Sequence, residues 1–518
     1  MPLLCFDTSP LWVNYMDFLV NLDPAAEMPM HRQIYEEVRQ AILSGRLSAG
    51  RKMPSTRALS QALGISRATV TMSYEYLLSE GYFESLTGSG TYVSRHLPED
   101  LLYVDSDVPI DPIGEPEETS LPVTPAKHMR LSWYGQSLAS RNWLDFPDAE
   151  PKIQFTFGRP ALDEFPMRLW TQLLSKHLAT RDLTSLDCPS RSKGHLPLRQ
   201  ALAEYLASAR ALHCNPERII IVNGSQQAIA LVTRVLIDRD DCAAIEEPGY
   251  LGAQKALMAS GANLVPIQVD YAGVRVDDLK KRFDSASGLS AKLLYVTPSH
   301  QYPTGVALSL PRRLDLLAWA ARTGTYIVED DYDSEYRYKG RPIPALAGLD
   351  KNGSVIYIGT FSKVLFPALR LGYLVVPESL VDVFARAKWL ADRHSPLLDQ
   401  QVLAEFITAG HLDRHIRKMR GLYEQRRKLF VENLKLTFGN RISILGDNAG
   451  LSVLVRFNTE CGDDEIVQRA AALGVGLSST KKYYIGQHRP SEFLLNYAGL
   501  TEEELLEGIR IIASILNE

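Results

Sequence analysis

The chain has 518 residues, of which 45% are hydrophobic and 23% are charged, an ordinary globular composition that excludes disordered and collagen-like proteins. This length exceeds what one hydrophobic core usually organises, so we expect two or three domains. No apolar run approaches the roughly 18 residues of a membrane span, and the N-terminus lacks the basic region of a signal peptide. The five cysteines include no CxxC pair, so we predict a cytoplasmic protein without a disulfide framework or a metal site.

The net charge of −5 conceals an uneven distribution along the chain. Residues 30–95 contain eight basic and five acidic residues, whereas residues 97–127 contain eight acidic residues, one lysine and six prolines. A segment so acidic and so rich in proline has neither the periodicity nor the amide donors of a helix or strand, which predicts a linker. We therefore divide the chain into an N-terminal extension without an assigned function (1–28), a first domain (29–96), a linker (97–150) and a large second domain (151–518).

Three helices are predicted in the first domain. Apolar residues recur at helical spacing over residues 31–47, and Gly45 closes this pattern, which predicts one amphipathic helix. A second helix begins after Ser55, a favourable capping residue, and ends at Gly64. Ser66 then caps a third helix over residues 67–79, so the second and third helices are joined by the short turn of a helix-turn-helix.

A β-hairpin follows the third helix. Aromatic and β-branched residues flank a Gly-Ser-Gly turn that ends at Gly90, and this order of elements predicts a winged helix. The first turn of the third helix would enter the DNA major groove, while the wing would approach the minor groove. Scattered arginines alone would favour an ordinary surface helix, but the ordered set of elements favours DNA binding. The residues that we expect to contact DNA are Arg57, Ser66, Arg67, Thr69 and Gly90.

The first domain also has a recognisable sequence. The run PMHRQIYEEVRQAILSGRLSAGRKMPSTRALSQALGISRATVTMSYEYLLSEGYFESLTGSGTYV resembles the GntR-type winged-helix domain from Met30 to Val93, over nearly its whole length. This resemblance implies a double-stranded DNA operator as a partner of the chain.

Short apolar strands alternate with helical stretches in the second domain. This alternation predicts βα crossovers and a largely parallel sheet in an α/β fold. Ligands of such sheets bind at the carboxyl ends of the strands, so the residues that follow each strand are candidates for a binding site. The predicted strands span residues 219–222, 243–246, 262–268, 293–297, 326–329, 355–360 and 371–376.

Two strand ends carry groups that suit a charged ligand. After the strand over residues 219–222, Gly224 and Ser225 open a helix whose unpaired amides can bind a phosphate, although Gly-Ser is also ordinary turn chemistry. The strand over residues 326–329 runs into Asp330 and an acidic cluster, which suits a metal ion, a solvated loop or a buried cation. A pyridinium nitrogen is one cation that Asp330 could bind.

A third strand end places a lysine among phosphate-binding side chains. The strand over residues 355–360 ends in Thr360, and Ser362, Lys363 and Arg370 follow it. Lys363 can form a Schiff base, whereas the hydroxyls and the guanidinium can bind a phosphate. A Ser-Lys pair alone would favour an exposed turn. Together with the two other strand ends, it matches the functional groups of pyridoxal 5'-phosphate, which we predict as the cofactor.

Five motifs carry a second resemblance. VNGSQQAIALV, EEPGYLG, VTPSHQYPTG, VEDDYDSEYRY and GTFSKVLFPALRLGY are similar to motifs of fold-type I aminotransferases, in the subgroup joined to GntR domains that is known as the MocR or GabR family. The motifs lie between about Phe155 and the C-terminus. The resemblance implies a multidomain chain, with a large pyridoxal phosphate-dependent transferase domain that has a mostly parallel sheet, a smaller C-terminal α+β subdomain, and assembly as a homodimer.

The second resemblance also implies a role for each residue of the cofactor site. Lys363 would form the Schiff base with the cofactor, and Asp330 would pair with the ring nitrogen. Tyr332 would hydrogen-bond the ring hydroxyl, Tyr250 would stack near the ring, and His300 would lie in the adjacent loop. The phosphate would be held by Ser225, Gln226, Thr360, Ser362 and Arg370.

Two positions depart from the family pattern. Tyr302 stands where ordinary aminotransferases have an asparagine that reaches the ring hydroxyl. Leu494 stands where many members carry an arginine that binds a substrate carboxylate in a bidentate manner. Arg159 and Arg191 are the arginines that we consider as substitutes. The missing arginine argues against an amino acid effector and against efficient transamination.

Three functions are compatible with this sequence. We favour a transcriptional regulator whose aminotransferase-like domain binds pyridoxal phosphate and senses a small amine, an amino acid or a vitamin B6 form, without physiological turnover. The alternative is an active pyridoxal phosphate-dependent aminotransferase that carries an autoregulatory DNA-binding domain. In a third, disfavoured hypothesis the enzyme-like domain serves only as a dimerisation scaffold.

Overall fold

The computed structural model consists of two units, which divide the chain between Lys127 and His128. It describes residues 11–15, 18–23, 26, 28–86, 89–97, 131–140, 143, 151–156, 158–179, 187, 192–283, 288–338, 340, 343–446 and 448–517. Within these residues, no helix combines the length and the apolar character that a bilayer crossing requires.

The N-terminal unit begins with a hairpin in the segment that we assigned to an extension. Strands β1 (Leu11–Tyr15) and β2 (Phe18–Leu22) pair antiparallel, and β2 packs along the first helix, α1 (Met30–Leu43). Leu22 is buried in the same hydrophobic core as α1. The end of the extension therefore belongs to the core of this unit.

The predicted winged helix is confirmed. Helix α1 is followed by α2 (Thr56–Leu63), α3 (Arg67–Ser79) and the antiparallel hairpin β3 (Phe83–Leu86) and β4 (Gly90–Val93). The first helix ends at Leu43, just before Gly45, the residue predicted to close it; Gly45 adopts a φ of +73°, a left-handed conformation that ends helices. Its apolar face forms the core of the unit through Ile34, Val38, Ala41 and Ile42, together with Leu47.

The large unit contains a central sheet with helices on both sides, and a smaller C-terminal subdomain. The helices are α4 (Trp133–Ala139), α5 (Met167–Ala179), α6 (Leu196–Arg210), α7 (Ser225–Leu236), α8 (Leu251–Ala259), α9 (Val276–Arg282), α10 (Leu310–Thr323), α11 (Leu346–Leu349), α12 (Val381–Asp392), α13 (Leu397–Thr408), α14 (His411–Phe438), α15 (Asp463–Ala472) and α16 (Glu502–Asn517). The strands are β5 (Ile153–Gln154), β6 (Ile219–Val222), β7 (Cys242–Glu247), β8 (Asn263–Asp270), β9 (Gly273–Val274), β10 (Ala291–Val296), β11 (Tyr326–Asp331), β12 (Val355–Thr360), β13 (Gly372–Val375), β14 (Ile442–Leu445), β15 (Ser452–Phe457), β16 (Val475–Gly476) and β17 (Glu492–Asn496). Each strand predicted from the sequence is present, with ends that differ by at most two residues.

The central sheet has eight strands in the order β6-β13-β12-β11-β10-β7-β8-β9. The pairs from β12 through β8 are parallel, whereas β13 is antiparallel to both of its neighbours, β12 and β6. Strand β6 therefore runs in the same direction as β12, and the carboxyl ends of these strands meet at one edge. The register places Val222, Gly372 and Thr360 side by side there, which gathers the predicted phosphate-binding segments.

A smaller C-terminal subdomain packs around its own hydrophobic core, as predicted. Strands β14, β15 and β17 form an antiparallel sheet, and helices α14 and α16 contact each other beside it. Phe430, Phe493 and Ile509 are buried in this core. Strand β5 pairs parallel with β16, so residues 153–154 are anchored in the subdomain.

Helix α4 falls inside the interval 97–150 that we assigned to a linker. The Arg239 guanidinium lies 5.3 Å from the ring centroid of Trp133, and α4 contacts α8. Residues 131–140 therefore pack on the large unit. The acidic, proline-rich part of the predicted linker, residues 98–130, lies outside the described residues.

Candidate functional site

A cavity of about 500 Å³ opens at the carboxyl ends of the parallel strands. Nine of the ten predicted cofactor residues line it, although they are spread over almost 150 positions of sequence. They are Ser225, Gln226, Tyr250, Asp330, Tyr332, Thr360, Ser362, Lys363 and Arg370. The fold thus brings together residues that the sequence could only assign to separate strand ends.

His300, the tenth predicted residue, does not line the cavity. It is buried behind the wall, where its Nδ1 lies 2.9 Å from Oδ1 of Asp333 and 3.1 Å from the Tyr332 hydroxyl. Asp333 and Tyr332 both line the cavity. His300 therefore supports two wall residues and does not form the wall itself.

Asp330 is only 4% exposed and uses one of its two carboxylate oxygens. The Tyr295 hydroxyl donates to Oδ2 at 2.5 Å, while the buried Oδ1 has no hydrogen-bond partner among the described residues. Burial raises the pKa of Asp330 to about 7; the Tyr295 hydrogen bond opposes this rise, and repulsion from Asp331 and Asp333 adds to it. A cationic N–H placed at Oδ1 would satisfy this oxygen and favour the ionised carboxylate. Asp330 therefore fits a protonated ring nitrogen.

Lys363 lines the same cavity from the loop after β12. Its Nζ donates to the Gly158 carbonyl at 2.8 Å. Burial lowers the pKa of Lys363, against the opposing attraction of Asp333 and Asp330. Because the unprotonated amine is the nucleophile, this environment favours attack on an aldehyde. The sequence analysis missed Gly158, where an added Cβ would lie 3.2 Å from Nζ, so the glycine leaves room for the lysine.

The N-terminus of α7 lies at one end of the cavity, where the sequence predicts a phosphate-binding segment. Gly224 precedes Ser225 with a φ of +82°, which favours glycine, and a Cβ on Gly224 would lie 3.3 Å from the Arg370 guanidinium. Arg370 donates from Nη2 to the Asn223 carbonyl at 2.9 Å. This bond holds a permanent positive charge beside the unpaired amides of the helix. Both features suit a phosphate.

Two hydroxyls complete this end of the cavity. The Ser362 amide donates to Thr360 Oγ1 at 3.2 Å, and the Thr360 hydroxyl donates to Ser362 Oγ at 3.1 Å. The loop is thereby folded so that both side chains line the cavity. Gln226 is exposed at the rim, and its amide donates to the Gly252 carbonyl at 3.3 Å.

Four tyrosines that contact one another also line the cavity. The ring centroid of Tyr302 lies 5.6 Å from that of Tyr250, 5.8 Å from that of Tyr332 and 5.1 Å from that of Tyr483. The Tyr302 hydroxyl donates to the Tyr483 hydroxyl at 3.0 Å. Burial raises the pKa of Tyr250 to about 12, so its hydroxyl keeps its proton and remains a donor. The sequence analysis missed Tyr483 because no local motif surrounds it in the smaller subdomain.

The structure also locates the position of the missing carboxylate-binding arginine. Leu494 lines the cavity from β17 and is only 6% exposed. Arg159 does not line the cavity, and Arg191 lies outside the described residues. Lys255 and Lys482 are cations on the wall that the sequence analysis missed. Position 494 therefore carries an apolar side chain, which cannot bind a substrate carboxylate in the bidentate manner of an arginine.

The predicted DNA-contacting residues lie on α2, α3 and β4 of the N-terminal unit. Arg57, Ser66, Arg67 and Gly90 are exposed, and Thr69 is half-buried. Ser66 caps α3, since its Oγ accepts from the Thr69 amide at 3.1 Å. Arg67 donates from Nε to Thr56 Oγ1 at 3.4 Å, which places it beside the first turn of α2, the helix that carries Arg57.

No group of three or more histidine, cysteine, aspartate or glutamate side chains in the described part of the chain could hold a metal ion. The acidic residues at and just after the end of β11 are instead engaged with the protein. Asp331 pairs with Arg210 at 2.7 Å, and Asp333 contacts His300.

Comparison with known proteins identifies both units. Residues 30–93 match the model for bacterial regulatory proteins of the gntR family, and residues 151–512 match aminotransferase class I and II. The probable rhizopine catabolism regulatory protein MocR of Rhizobium meliloti is 39% identical over 95% of each chain. An uncharacterised HTH-type transcriptional regulator, YdeL of Bacillus subtilis, is 33% identical over 96% of this chain and 98% of its own.

The large unit also resembles solved enzymes. The Pyrococcus horikoshii kynurenine aminotransferase, crystallised with PMP, is 28% identical, with a TM-score of 0.67 over 71% of this chain and 91% of its own. Both family models match this one chain in the predicted order, with the gntR-family domain first and the aminotransferase domain second. The chain therefore belongs to the MocR-type GntR regulators, in which a gntR-family domain is joined to a class I and II aminotransferase domain.

Proposed function

We propose that the chain is a DNA-binding transcriptional regulator whose aminotransferase-like domain binds pyridoxal 5'-phosphate and senses a small amine. One observation supports this proposal above the others: Lys363, Asp330 and Arg370 line a single cavity, although their strands lie apart in sequence. These side chains suit the aldehyde, the ring nitrogen and the phosphate of the cofactor, respectively.

The residues of the cavity would divide the work of binding. Asp330 Oδ1 would hold the proton of the ring nitrogen, and the amides of α7 with Arg370 would hold the phosphate. When bound, pyridoxal phosphate supplies an aldehyde that can be exchanged between a lysine and a ligand amine. The lowered pKa of Lys363 keeps a neutral amine available for this exchange. Release of Lys363 from the cofactor by a ligand would be the event that is sensed.

Regulation requires that the ligand bind two states of the protein with different affinity. We propose a homodimer in which exchange at Lys363 changes how two winged helices address an operator. Family membership supports the dimer and the DNA partner. Leu494 supports sensing over turnover, because a substrate carboxylate would lack the bidentate arginine that positions amino acids in many aminotransferases.

The first experiment tests cofactor binding. Full-length protein is titrated with pyridoxal phosphate, and the absorption band of the lysine-bound cofactor is recorded for the wild type, Lys363→Ala and the exposed control Lys351→Ala. We expect the band in the wild type and the control and its loss in Lys363→Ala. An unchanged spectrum in Lys363→Ala would show that another amine binds the aldehyde.

The second experiment separates the sensor from the enzyme. Binding of the holoprotein to DNA upstream of its own gene is measured by fluorescence anisotropy with a panel of amines, amino acids and vitamin B6 forms. We expect at least one compound to change the dissociation constant while no 2-oxo acid acceptor is consumed. Rapid transamination with unchanged DNA binding would instead establish the aminotransferase. Sedimentation of the same samples tests the dimer.

A further inference from the structure

A second cavity, of about 410 Å³, lies in the large unit. It is formed by the end of α6, the residues after β11 and the first half of α14. Among the described residues, it shares no lining residue with the cofactor cavity. Because Arg210, Arg337, Arg417 and Arg420 all line it, we name it the arginine cavity. Four guanidinium groups repel one another at close range unless negative charge compensates them.

Arg210 has a carboxylate partner, but its hydrogen bonds are incomplete. The side chain is 4% exposed, and its Nη2 lies 2.7 Å from Asp331 Oδ2. Its Nη1 donates to the Ile343 carbonyl at 2.8 Å. Its Nε is buried without a hydrogen-bond partner in the described part of the molecule. Leaving a charged donor buried and unpaired is unfavourable, so this nitrogen indicates a site for an acceptor.

The other three arginines have no carboxylate within ion-pair distance among the residues that the structure describes. Arg420 donates from Nε and Nη2 to the Glu335 main-chain carbonyl at 3.0 and 2.8 Å. Arg417 donates from Nε to the Asp413 main-chain carbonyl at 3.3 Å. Carbonyls orient a guanidinium but do not neutralise its charge. The cavity thus keeps an excess of positive charge.

Two further polar atoms on the wall also lack partners. Ser334 Oγ and Arg337 Nε are buried without a hydrogen bond to any described residue. The acidic side chains offer limited compensation, because Glu335 Oε1 accepts from the Tyr205 hydroxyl at 2.9 Å and Asp413 is exposed. Burial, with repulsion from Asp331, raises the pKa of Glu335, against the attraction of Arg210.

We propose that the arginine cavity binds a dianionic oxyanion, such as the phosphate group or the paired carboxylates of a small metabolite. Planar guanidinium groups recognise phosphate and carboxylate oxygens through paired N–H donors. A dianion suits three arginines that have no carboxylate partner among the described residues better than a monoanion does. The volume of the cavity lies within the range of about 300–1,000 Å³ that small-molecule sites occupy.

The position of the arginine cavity connects it to the cofactor site. Arg210 pairs with Asp331, which follows Asp330 directly on β11. The Tyr357 hydroxyl donates to the same Asp331 carboxylate at 2.7 Å. An anion that binds Arg210 therefore competes with Asp331 for one guanidinium, at the strand that carries the predicted partner of the ring nitrogen.

The test measures phosphate binding by isothermal titration calorimetry on full-length protein at constant ionic strength. The variants are Arg417→Gln, which changes an exposed side chain, and Arg420→Gln. The control is Arg414→Gln, an exposed arginine of the same helix outside the cavity. All are also made in an Arg370→Gln background, because phosphate can bind the cofactor site. We expect a saturable site that persists with Arg370→Gln and weakens about tenfold or more with either cavity variant.

The anion is identified by a parallel titration with succinate. Tighter binding of phosphate assigns the arginine cavity to a phosphate group, and tighter binding of succinate assigns it to a dicarboxylate. The proposal is overturned when neither anion binds, or when Arg417→Gln and Arg420→Gln bind as the wild type does. It is also overturned when Arg414→Gln weakens binding equally. None of these outcomes depends on pyridoxal phosphate, so they leave the proposed function untouched.

Discussion

The Tyr295 hydroxyl donates to Oδ2 of Asp330 at 2.5 Å and leaves Oδ1 of the same carboxylate without a partner among the described residues. Tyr295 stands on β10 and Asp330 on the adjacent strand β11. The pair fixes the orientation of a buried acid so that its second oxygen remains available to a ligand. Two of the predictions below concern ligand binding in this cavity.

Replacing Asp330 should weaken the cofactor without unfolding the protein. Asp330→Asn keeps the size of the side chain but removes the charge, and a hydrogen bond to a charged group contributes about 1.5–3 kcal/mol. We expect the dissociation constant for pyridoxal phosphate to rise about 10- to 100-fold, measured by absorbance titration. Asp382→Asn, on an exposed position of α12, is the control. Equal affinity of Asp330→Asn and the wild type would contradict the assigned role.

Gly224→Ala should damage phosphate binding through two physical effects. The backbone of Gly224 has φ +82° and ψ 173°, a region that other residues avoid, and the new Cβ would press against the Arg370 guanidinium at 3.3 Å. We expect the affinity for pyridoxal phosphate to fall about tenfold or more. Gly324→Ala is the matched control, since its φ is also positive but its Cβ meets no atom within 4 Å. A similar affinity loss in both variants would argue against crowding of Arg370.

Glu246 should make stability depend on pH. Burial raises its pKa from the ordinary value of 4.5 to about 7, against the hydrogen bonds from Thr297 and Gln301. Between these two values the folded state binds more protons than the unfolded state, so the free energy of unfolding falls as pH rises. In the wild type, this titration should lower the free energy of unfolding by up to about 3 kcal/mol across the window. We expect Glu246→Gln to abolish this fall.

Denaturant unfolding of the cofactor-free protein across this pH window measures the Glu246 effect. The exposed Glu378→Gln is the control, because it should leave the slope of stability against pH unchanged. Parallel slopes for the wild type and Glu246→Gln would mean that Glu246 titrates alike in the folded and unfolded states.

Arg67→Ala should weaken operator binding. Arg67 is exposed on the first turn of α3, where a winged helix reads base edges, and loss of one such contact costs about 1–3 kcal/mol. We expect about tenfold weaker binding to operator DNA and a smaller loss for unrelated DNA, measured by anisotropy at several salt concentrations. Arg46→Ala, an exposed arginine between α1 and α2, is the control. Unaltered affinity and salt dependence in Arg67→Ala would show that α3 does not face the groove as proposed.

The sequence determined the local elements of this protein. The caps Ser55 and Ser66, the left-handed Gly64 and the alternation of strands with helices all act over a few residues, so their pattern can be read without tertiary contacts. The same holds for Lys363, Asp330 and Ser225, which lie at or just after the carboxyl ends of strands, as expected for an α/β site. The end of the linker could not be predicted in this way. Helix α4 packs on the large unit through a contact between Trp133 and Arg239, a residue far along the chain.

Only the tertiary structure decided how the strand ends meet and what surrounds them. Antiparallel insertion of β13 between β6 and β12 carries Arg370 to the N-terminus of α7, and no local pattern specifies that insertion. Gly158, Tyr295 and Tyr483 reach the cavity from distant segments, so their roles arise from packing. The position of His300 behind the wall and the gathering of Arg210 with Arg420 have the same cause. Sequence periodicity reflects contacts between residues that are close along the chain, whereas a binding site depends on residues that are close in space.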